Sequence, residues 1–181
     1  MNIIVAVTRR WGIGTGEDLL FHLPDDMKYF RRMTLGKTVI MGRRTLESFP
    51  GKKPLPGRRN IVLTRDKGFI CEGAEILHSP AEVFSSIEGT NPEDVFVIGG
   101  GEIYRLLLPM CQRAYVTHID ADAPATVFFP DLSLLPEWTM ASASEPVINN
   151  GVSMRFCVYE QSRPTISQCA ECLQSASSRL K

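Results

Sequence analysis

Short apolar runs that alternate with helical segments are the feature that most constrains the fold of this chain. Six runs rich in β-branched and aliphatic residues are strand-like: 3–7, 38–41, 61–64, 75–77, 95–98 and 114–119. Helical segments lie between several of them, at 24–34, 45–48, 81–87 and 102–108. Because parallel strands are joined by crossovers that are usually helical, this order predicts an α/β fold. Its mostly parallel sheet should be covered on both faces.

The C-terminal third has a different pattern, because no helical segment follows residue 119. The runs 138–143 and 153–160 flank Asn149-Asn150-Gly151, and an Asn-Gly pair strongly favours a tight turn. These runs predict an antiparallel hairpin that ends the sheet. Alternation in the second run predicts a solvent-exposed face made of Ser153, Arg155, Cys157 and Tyr159. The Ser/Gln-rich residues 161–181 are predicted to be an extension of a domain formed by residues 1–160.

Composition limits the classes of partner. Lys and Arg number 20, as do Asp and Glu, so the net charge gives no reason to expect nucleic acid or a membrane as a partner. There is no long apolar span and no secretory leader, and we expect a cytoplasmic protein. Of the 5 scattered cysteines, Cys169 and Cys172 have redox or metal spacing. They lack a second pair or a nearby His, so free thiols are expected and no metal is predicted.

Asp26 is the first candidate functional residue. Pro24 suits the first turn of the helix 24–34, and Leu23, Met27 and Phe30 recur at a spacing that predicts a buried stripe. Asp26 lies at the edge of this stripe. One interpretation is that Asp26 only caps the start of the helix. The other is a partly buried carboxylate with a raised pKa and a task in a binding site.

Three loops follow predicted strands at the positions where α/β sheets bind ligands. Residues 42–45 offer backbone N–H groups and two guanidiniums that suit phosphate. Thr64 and Arg65 suit a ribose 2′-phosphate, which would favour NADPH over NADH. Residues 99–101 are three glycines that permit close approach of a ligand. Each alone is more often an ordinary turn, but all three coincide with strand ends. Arg58 follows a rigid Pro-Gly turn and suits a bidentate grip on a carboxylate, although a solvated loop arginine is equally compatible.

These motifs together resemble the bacterial-type dihydrofolate reductase family. The matching residues occur in order from Asn2 to about Glu160: Ile4-Val5-Ala6, Ile13-Gly14, Leu23-Pro24-x-Asp26, Phe30, Ile40-Met41-Gly42-Arg43-x-Thr45, Pro54-Leu55-Pro56-Gly57-Arg58-x-Asn60, Ile98-Gly99-Gly100-Gly101-x-x-Tyr104 and Thr117-His118-Ile119. The family implies an α/β fold with a mostly parallel, eight-stranded central sheet that ends in an antiparallel C-terminal hairpin and is flanked by about four helices.

The resemblance also implies an activity. It is the NADPH-dependent reduction of 7,8-dihydrofolate to 5,6,7,8-tetrahydrofolate, with hydride transfer to C6 and protonation of N5. This reaction would support one-carbon metabolism and thymidylate synthesis. Antifolates would be further ligands, and a monomer is the family default.

Residue roles follow from the same resemblance. Asp26 is implied to be catalytic, as the ionisable group that binds the 2-amino and N3 edge of the pterin, and Arg58 to grip the glutamate α-carboxylate. The implied substrate-binding set is Ile4, Val5, Asp26, Phe30, Arg31, Arg58, Ile98 and Thr117. The implied NADPH-binding set is Ala6, Ile13, Gly14, Gly42, Arg43, Arg44, Thr45, Leu63, Thr64, Arg65, Ile98, Gly99, Gly100, Gly101, Glu102, Ile103 and Tyr104. A cis peptide between Gly99 and Gly100 is also implied.

Two positions depart from the family pattern. Phe21 stands where bacterial members usually carry Trp, whose N–H holds a water near the carboxylate, and phenylalanine cannot donate. Thr126 stands where an Asp pins the glycine-containing loop 8–21 through backbone N–H groups, so the populations of this loop should differ.

Two alternatives stay open beside the reductase. One is a related pterin or pyrimidine reductase, such as that of riboflavin synthesis. The pair Asp26 and Arg58 argues against it, because a ribityl phosphate has no α-carboxylate. The other is an inactive pterin- or NADPH-binding protein, against which the intact Asp26, Phe30, Arg58 and glycine loops argue.

Overall fold

The computed structural model describes residues 1–15 and 20–162. These residues form eleven strands and four α-helices. In chain order they are β1 (Asn2–Val7), β2 (Gly12–Gly14), α1 (Pro24–Thr34), β3 (Thr38–Gly42), α2 (Arg43–Glu47), β4 (Arg59–Leu63), β5 (Ala74–Leu77), α3 (Pro80–Ser86), β6 (Val95–Gly99), α4 (Gly101–Leu107), β7 (Arg113–Ile119), β8 (Val127–Phe128), β9 (Trp138–Ala143), β10 (Val147–Asn149) and β11 (Val152–Gln161).

The central sheet confirms the predicted fold class. Its strand order is β10-β11-β7-β1-β6-β3-β4-β5, and β9 pairs with β11 as a ninth strand. All neighbours from β7 to β5 are parallel, whereas β11 is antiparallel to β7, β9 and β10. β2 and β8 form a separate two-stranded sheet, which the sequence did not predict.

The C-terminal hairpin differs from the prediction in its partner strand. The strand that reaches the Asn-Gly turn is the short β10, which pairs with the start of β11, and β9 pairs with the far end of β11. Asn150 and Gly151 have φ angles of 49° and 76°, and positive φ at both central residues is what a type I′ turn requires. β11 runs to Gln161, one residue past the predicted domain end, and Cys169 and Cys172 lie outside the described residues.

The prediction of which β11 side chains face solvent is wrong, and the packing of the core shows why. Side chains of β1 pack alternately on opposite faces of the sheet, with Ile3 and Val5 in one cluster and Ile4 in another. Both faces are therefore covered. Cys157 and Tyr159, predicted to face solvent, are buried in the same cluster as Ile3, because residues from several other elements pack over this face.

Helix α1 has the predicted bounds, but Met27 is not part of its buried face. Leu23 packs with Ile119 on one side, and Phe30 packs against the sheet face that holds Ile4. Met27 lies between these two contacts and is 53% exposed, since no described residue covers the gap. The helical spacing predicted the direction of the side chain correctly but could not show that the surface opposite it is open.

Candidate active site

The three predicted loops lie at one edge of the sheet. In the parallel register Met41 is paired with Gly99, and Gly42 with Leu63, so the C-terminal ends of β3, β4 and β6 are adjacent. Helix α2 begins at Arg43, two residues earlier than expected, and α4 begins at Gly101, the last residue of the third loop and one residue earlier than expected. The structure therefore brings together the loops that were proposed for the cofactor.

The glycines of these loops form a closely packed strip of backbone. The peptide between Gly99 and Gly100 is cis, as the resemblance implies, and Gly99 has a φ of 128°. A Cβ on Gly100 would lie 3.3 Å from the hydroxyl oxygen of Thr45, and one on Gly42 would lie 3.0 Å from Cγ1 of Ile103. The backbone of two loops converges here on Thr45, which fits a ligand held by main-chain groups.

Guanidinium groups lie around this strip and make only loose ion pairs. Arg43 Nη1 is 3.5 Å from Asp66 Oδ2, and the guanidinium lies over the ring of Phe69 at 5.9 Å. Arg65 Nη2 is 3.7 Å from Glu102 Oε2, with both side chains largely exposed. Exposed pairs of this kind contribute little stability, so an anionic ligand can compete for the cations.

Asp26 is held against β7 and does not cap its helix. The residue that precedes α1 is Leu23, and the helix start has no side-chain capping hydrogen bond. The Thr117 side chain on β7 lies near the Asp26 carboxylate, and its hydroxyl is the polar group that favours the charged form. Burial raises the pKa of this carboxyl above its ordinary value, and the bond from Thr117 opposes part of the shift. The interpretation that Asp26 only caps its helix is therefore wrong.

A small cavity of about 40 Å³ opens beside Asp26. Its other walls are apolar or small, and they include Ala6, Ile13 and Phe21. Burial of a carboxylate in such surroundings is costly unless the group has a use. The position of Phe21 beside Asp26 matches the expectation from the sequence.

Arg58 is positioned by three contacts. Its Nε donates to the Thr34 hydroxyl at 2.9 Å, its Nη1 donates to the Pro56 carbonyl at 3.0 Å, and the guanidinium lies over the ring of Phe30 at 5.8 Å. Burial, and secondarily the charge of Arg31, lowers the pKa of Arg58 from its ordinary value. Among the described residues, neither arginine forms an ion pair with a carboxylate.

The remaining predicted residues link these parts. Tyr104, from α4, is buried and donates its hydroxyl to the Ile4 carbonyl at 2.8 Å, which ties the cofactor loop to β1. Thr126 donates to the carbonyl of Thr15 at 2.8 Å, and its N–H donates to Gly14 at 3.1 Å. Leu63, Val5 and Ile98 are buried near the strand ends, whereas Arg44 is exposed at the rim.

Sequence reasoning missed the contacts that hold the start of α1. The Asn149 amide donates to Asp25 Oδ2 at 2.6 Å, and the Asn150 amide donates to the His22 carbonyl at 3.1 Å. These asparagines were interpreted only as turn residues. No local pattern could have found partners more than 120 positions away, because only the folded sheet brings β10 beside α1.

Residues 1–15 and 20–162 lack two further kinds of feature. No helix in that part is long and apolar enough to cross a membrane. The same part contains no group of three or more His, Cys, Asp or Glu side chains that is arranged to hold a metal ion.

Comparison with known proteins agrees with the geometry. A family model described as dihydrofolate reductase matches residues 1–161. A dihydrofolate reductase of Mycobacterium tuberculosis is 47% identical over 125 residues, which is 68% of this chain and 74% of the relative. One from Neisseria gonorrhoeae is 36% identical over 160 residues, 88% of this chain and 96% of the relative. The solved structure of a dihydrofolate reductase from Enterococcus faecalis complexed with NADP(H) and RAB-propyl has a TM-score of 0.81 and 30% identity, and the match covers 90% of this chain and 96% of that one. The chain belongs to the dihydrofolate reductase family.

Proposed function

We propose that this protein reduces 7,8-dihydrofolate to 5,6,7,8-tetrahydrofolate with NADPH, with hydride added at C6 and a proton at N5. The reaction would supply one-carbon metabolism and thymidylate synthesis. The observation that carries the proposal is the Asp26 carboxylate, which is desolvated in an apolar cavity and held by Thr117. A pterin presents a donor edge that such a carboxylate can bind.

In this proposal Asp26 accepts hydrogen bonds from the 2-amino and N3 groups of the pterin. Its charge stabilises the N5-protonated form of the substrate, so its contribution is electrostatic. The raised pKa brings its change of charge closer to neutral pH than that of an exposed aspartate. Thr117 keeps the carboxylate oriented toward the ligand.

The remaining substrate contacts come from apolar walls and two cations. Ile4, Val5, Phe30 and Ile98 supply apolar surface or backbone at the strand ends. Arg58 is oriented by Thr34 and Pro56, so its guanidinium is preorganised for the glutamate α-carboxylate, with Arg31 beside it.

The residues at the sheet edge fit NADPH. Arg43, Arg44 and Thr45 would contact its phosphates, Thr64 and Arg65 its 2′-phosphate, and the 99–101 strip with Tyr104 its diphosphate and ribose. Ala6, Ile13 and Gly14 would lie at the nicotinamide end. When bound, NADPH supplies the hydride equivalent that reduces the substrate. The chain itself orients both ligands and excludes water from between them.

The test is loss of NADPH absorbance when dihydrofolate is added to the purified chain. We expect turnover in the wild type, most of which is lost in Asp26→Asn at neutral pH while NADPH affinity is retained. Asp122→Asn is a matched control, since Asp122 is a surface carboxylate paired with Arg10. Absent wild-type turnover with tight methotrexate binding would instead favour an inactive binding protein.

The cellular and oligomeric context stays a prediction of the family resemblance. A cytoplasmic monomer is expected. Sedimentation of the purified chain at several concentrations tests the monomer, and a mass that rises to that of a dimer would contradict it.

A further inference from the structure

The helix that carries Asp26 begins without a capping side chain. Leu23 occupies the position before its first residue, and its side chain cannot accept a hydrogen bond from the first-turn N–H groups. Pro24 removes one donor and the Met27 N–H donates to the Leu23 carbonyl at 3.0 Å, but the N–H groups of Asp25 and Asp26 lack a partner within the helix. A helix end of this kind frays unless something outside it holds the first turn. Asp26 lies in that first turn.

The turn of the C-terminal hairpin provides this support. Asn149 Nδ2 donates to Asp25 Oδ2 at 2.6 Å, and Asn150 Nδ2 donates to the His22 carbonyl at 3.1 Å. The two bonds lie on either side of Leu23 and Pro24 in the chain. Asn149 is 9% exposed, so water competes little for its amide. The positive φ angles of the turn fix the direction from which both amides reach the helix.

Asp25 and Asp26 face different strands of the same sheet. Consecutive residues are about 100° apart around a helix, so Asp25 contacts β10 while Asp26 contacts Thr117 on β7. Bonds from Lys28, and next from Asn149, lower the pKa of Asp25, so it is the ionised acceptor of a charge-assisted hydrogen bond. Rotation of the first turn that breaks one of these contacts also displaces the other.

We propose that Asn149 is a positioning residue for Asp26, with Asn150 in support: by holding Asp25, it fixes the rotation of the first turn and keeps the Asp26 carboxylate against Thr117. The inference rests on the proposed function of Asp26. Without this bond the first turn moves away from β10, and water reaches Asp26 more often.

The pH profile distinguishes positioning from general stability. The groups that interact with Asp26 from other elements are the Thr117 hydroxyl and the Tyr104 phenol. Its own helix adds the Tyr29 phenol and, next to Asp26 in the chain, Asp25 in its ion pair with Lys28. Burial is the larger influence on the pKa of Asp26 and the Thr117 bond the smaller. Greater access of water therefore lowers the pKa of Asp26, and the acid limb of kcat/KM moves to lower pH.

The experiment compares Asn149→Ala with Ile148→Ala in the full chain. Ile148 is the neighbouring residue on β10 but is 76% exposed, and its aliphatic side chain cannot donate a hydrogen bond to α1. In Asn149→Ala we expect kcat/KM for dihydrofolate to fall on the order of tenfold, with the acid limb shifted down and KM for NADPH unchanged. Hydrogen exchange of the Met27 amide, which donates to the Leu23 carbonyl at 3.0 Å, should become faster in Asn149→Ala only.

A charge swap supplies the rescue. Asn149→Asp removes the donor and places two carboxylates against each other, whereas Asp25→Asn in the same chain restores a bond with donor and acceptor exchanged, so kcat/KM should recover relative to Asn149→Asp alone. Failure to recover overturns the positioning role, as does a wild-type pH profile in Asn149→Ala. An equal loss of NADPH affinity overturns it as well. Wild-type turnover, and its loss in Asp26→Asn, tests the proposed function separately.

Discussion

Replacement of Thr117 by valine tests whether the hydroxyl stabilises an ionised carboxylate. Valine has nearly the shape of threonine, so Thr117→Val removes the donor to Asp26 and leaves little cavity. A hydrogen bond to a charged group contributes about 1.5–3 kcal/mol, against about 0.5–1.5 kcal/mol for a neutral pair. We expect the free energy of unfolding at neutral pH to fall by about 1.5–3 kcal/mol. Because the bond favours the charged form of Asp26, its loss also raises the pKa of the carboxyl.

Urea denaturation and the pH profile of kcat/KM measure these two effects. The acid limb should move to higher pH in Thr117→Val and stay in place in Thr117→Ser, which keeps the hydroxyl. In an Asp26→Asn background the same Thr117→Val change should cost only about 0.5–1.5 kcal/mol, since the acceptor is neutral. Equal costs in the two backgrounds would show that no charge-assisted bond joins Thr117 to Asp26.

Three further predictions concern the carboxylate, the arginine and the loop. Because burial raises the pKa of Asp26 in the folded state, its contribution to stability is fully present below the unfolded pKa and is lost as pH rises through the folded one. Asp26→Asn should therefore increase the free energy of unfolding at neutral pH, and a lower midpoint in urea would contradict this. Arg58→Ala should weaken dihydrofolate by about 2–4 kcal/mol with NADPH affinity nearly unchanged in titrations, and a matching loss for NADPH would rule out the assignment. Thr126→Ala removes the bond to the Thr15 carbonyl. The rate constant of NADPH release, measured before the steady state, should change by a factor of about 2–10, which corresponds to the free energy of one hydrogen bond. Thr126→Ser, which keeps the hydroxyl, should leave this rate constant unchanged.

The elements of the parallel sheet could be predicted because their signals are local. An apolar run such as 95–98 predicts a strand that is buried on both faces, and Pro24 predicts the first turn of a helix. Local signals do not show what lies opposite a side chain. Met27 has the spacing of a buried residue and is exposed, whereas Tyr159 has the spacing of an exposed residue and is buried. In both cases the deciding contacts come from distant segments.

The cofactor loops of the site could be predicted from the sequence more fully than the surroundings of Asp26. The cofactor loops follow strand ends, so their convergence follows from a parallel sheet and needs no knowledge of side chains. Asp26 is contacted by Thr117 of β7, and the start of its helix is held by Asn149 of β10. β10 joins the sheet only by pairing with β11, which in turn pairs with β7. These contacts exist only after the hairpin has folded onto the sheet. The sequence could therefore indicate the carboxylate but not what holds it.

Helix α1 connects the two ends of the proposed substrate. Its first turn carries Asp26, and its last residue, Thr34, accepts the hydrogen bond that orients Arg58. Eight residues at 1.5 Å each place Thr34 about 12 Å along the helix from Asp26. A ligand that satisfies both groups must present donors at one end and an anion at a fixed distance.

This spacing argues for dihydrofolate over a smaller pterin or pyrimidine. The span between Asp26 and Arg58 is set by the backbone of α1, and both ends of the helix are tied to other parts of the chain. A substrate without the distant carboxylate cannot form an ion pair with Arg58 and Arg31. It therefore binds more weakly by the free energy of that ion pair. Dihydropteroate, which lacks the glutamate, should therefore lose affinity in wild type. It should bind Arg58→Ala as tightly as it binds wild type, as measured by competition against dihydrofolate. If Arg58→Ala weakens both ligands equally, Arg58 has a structural role and the spacing argument fails.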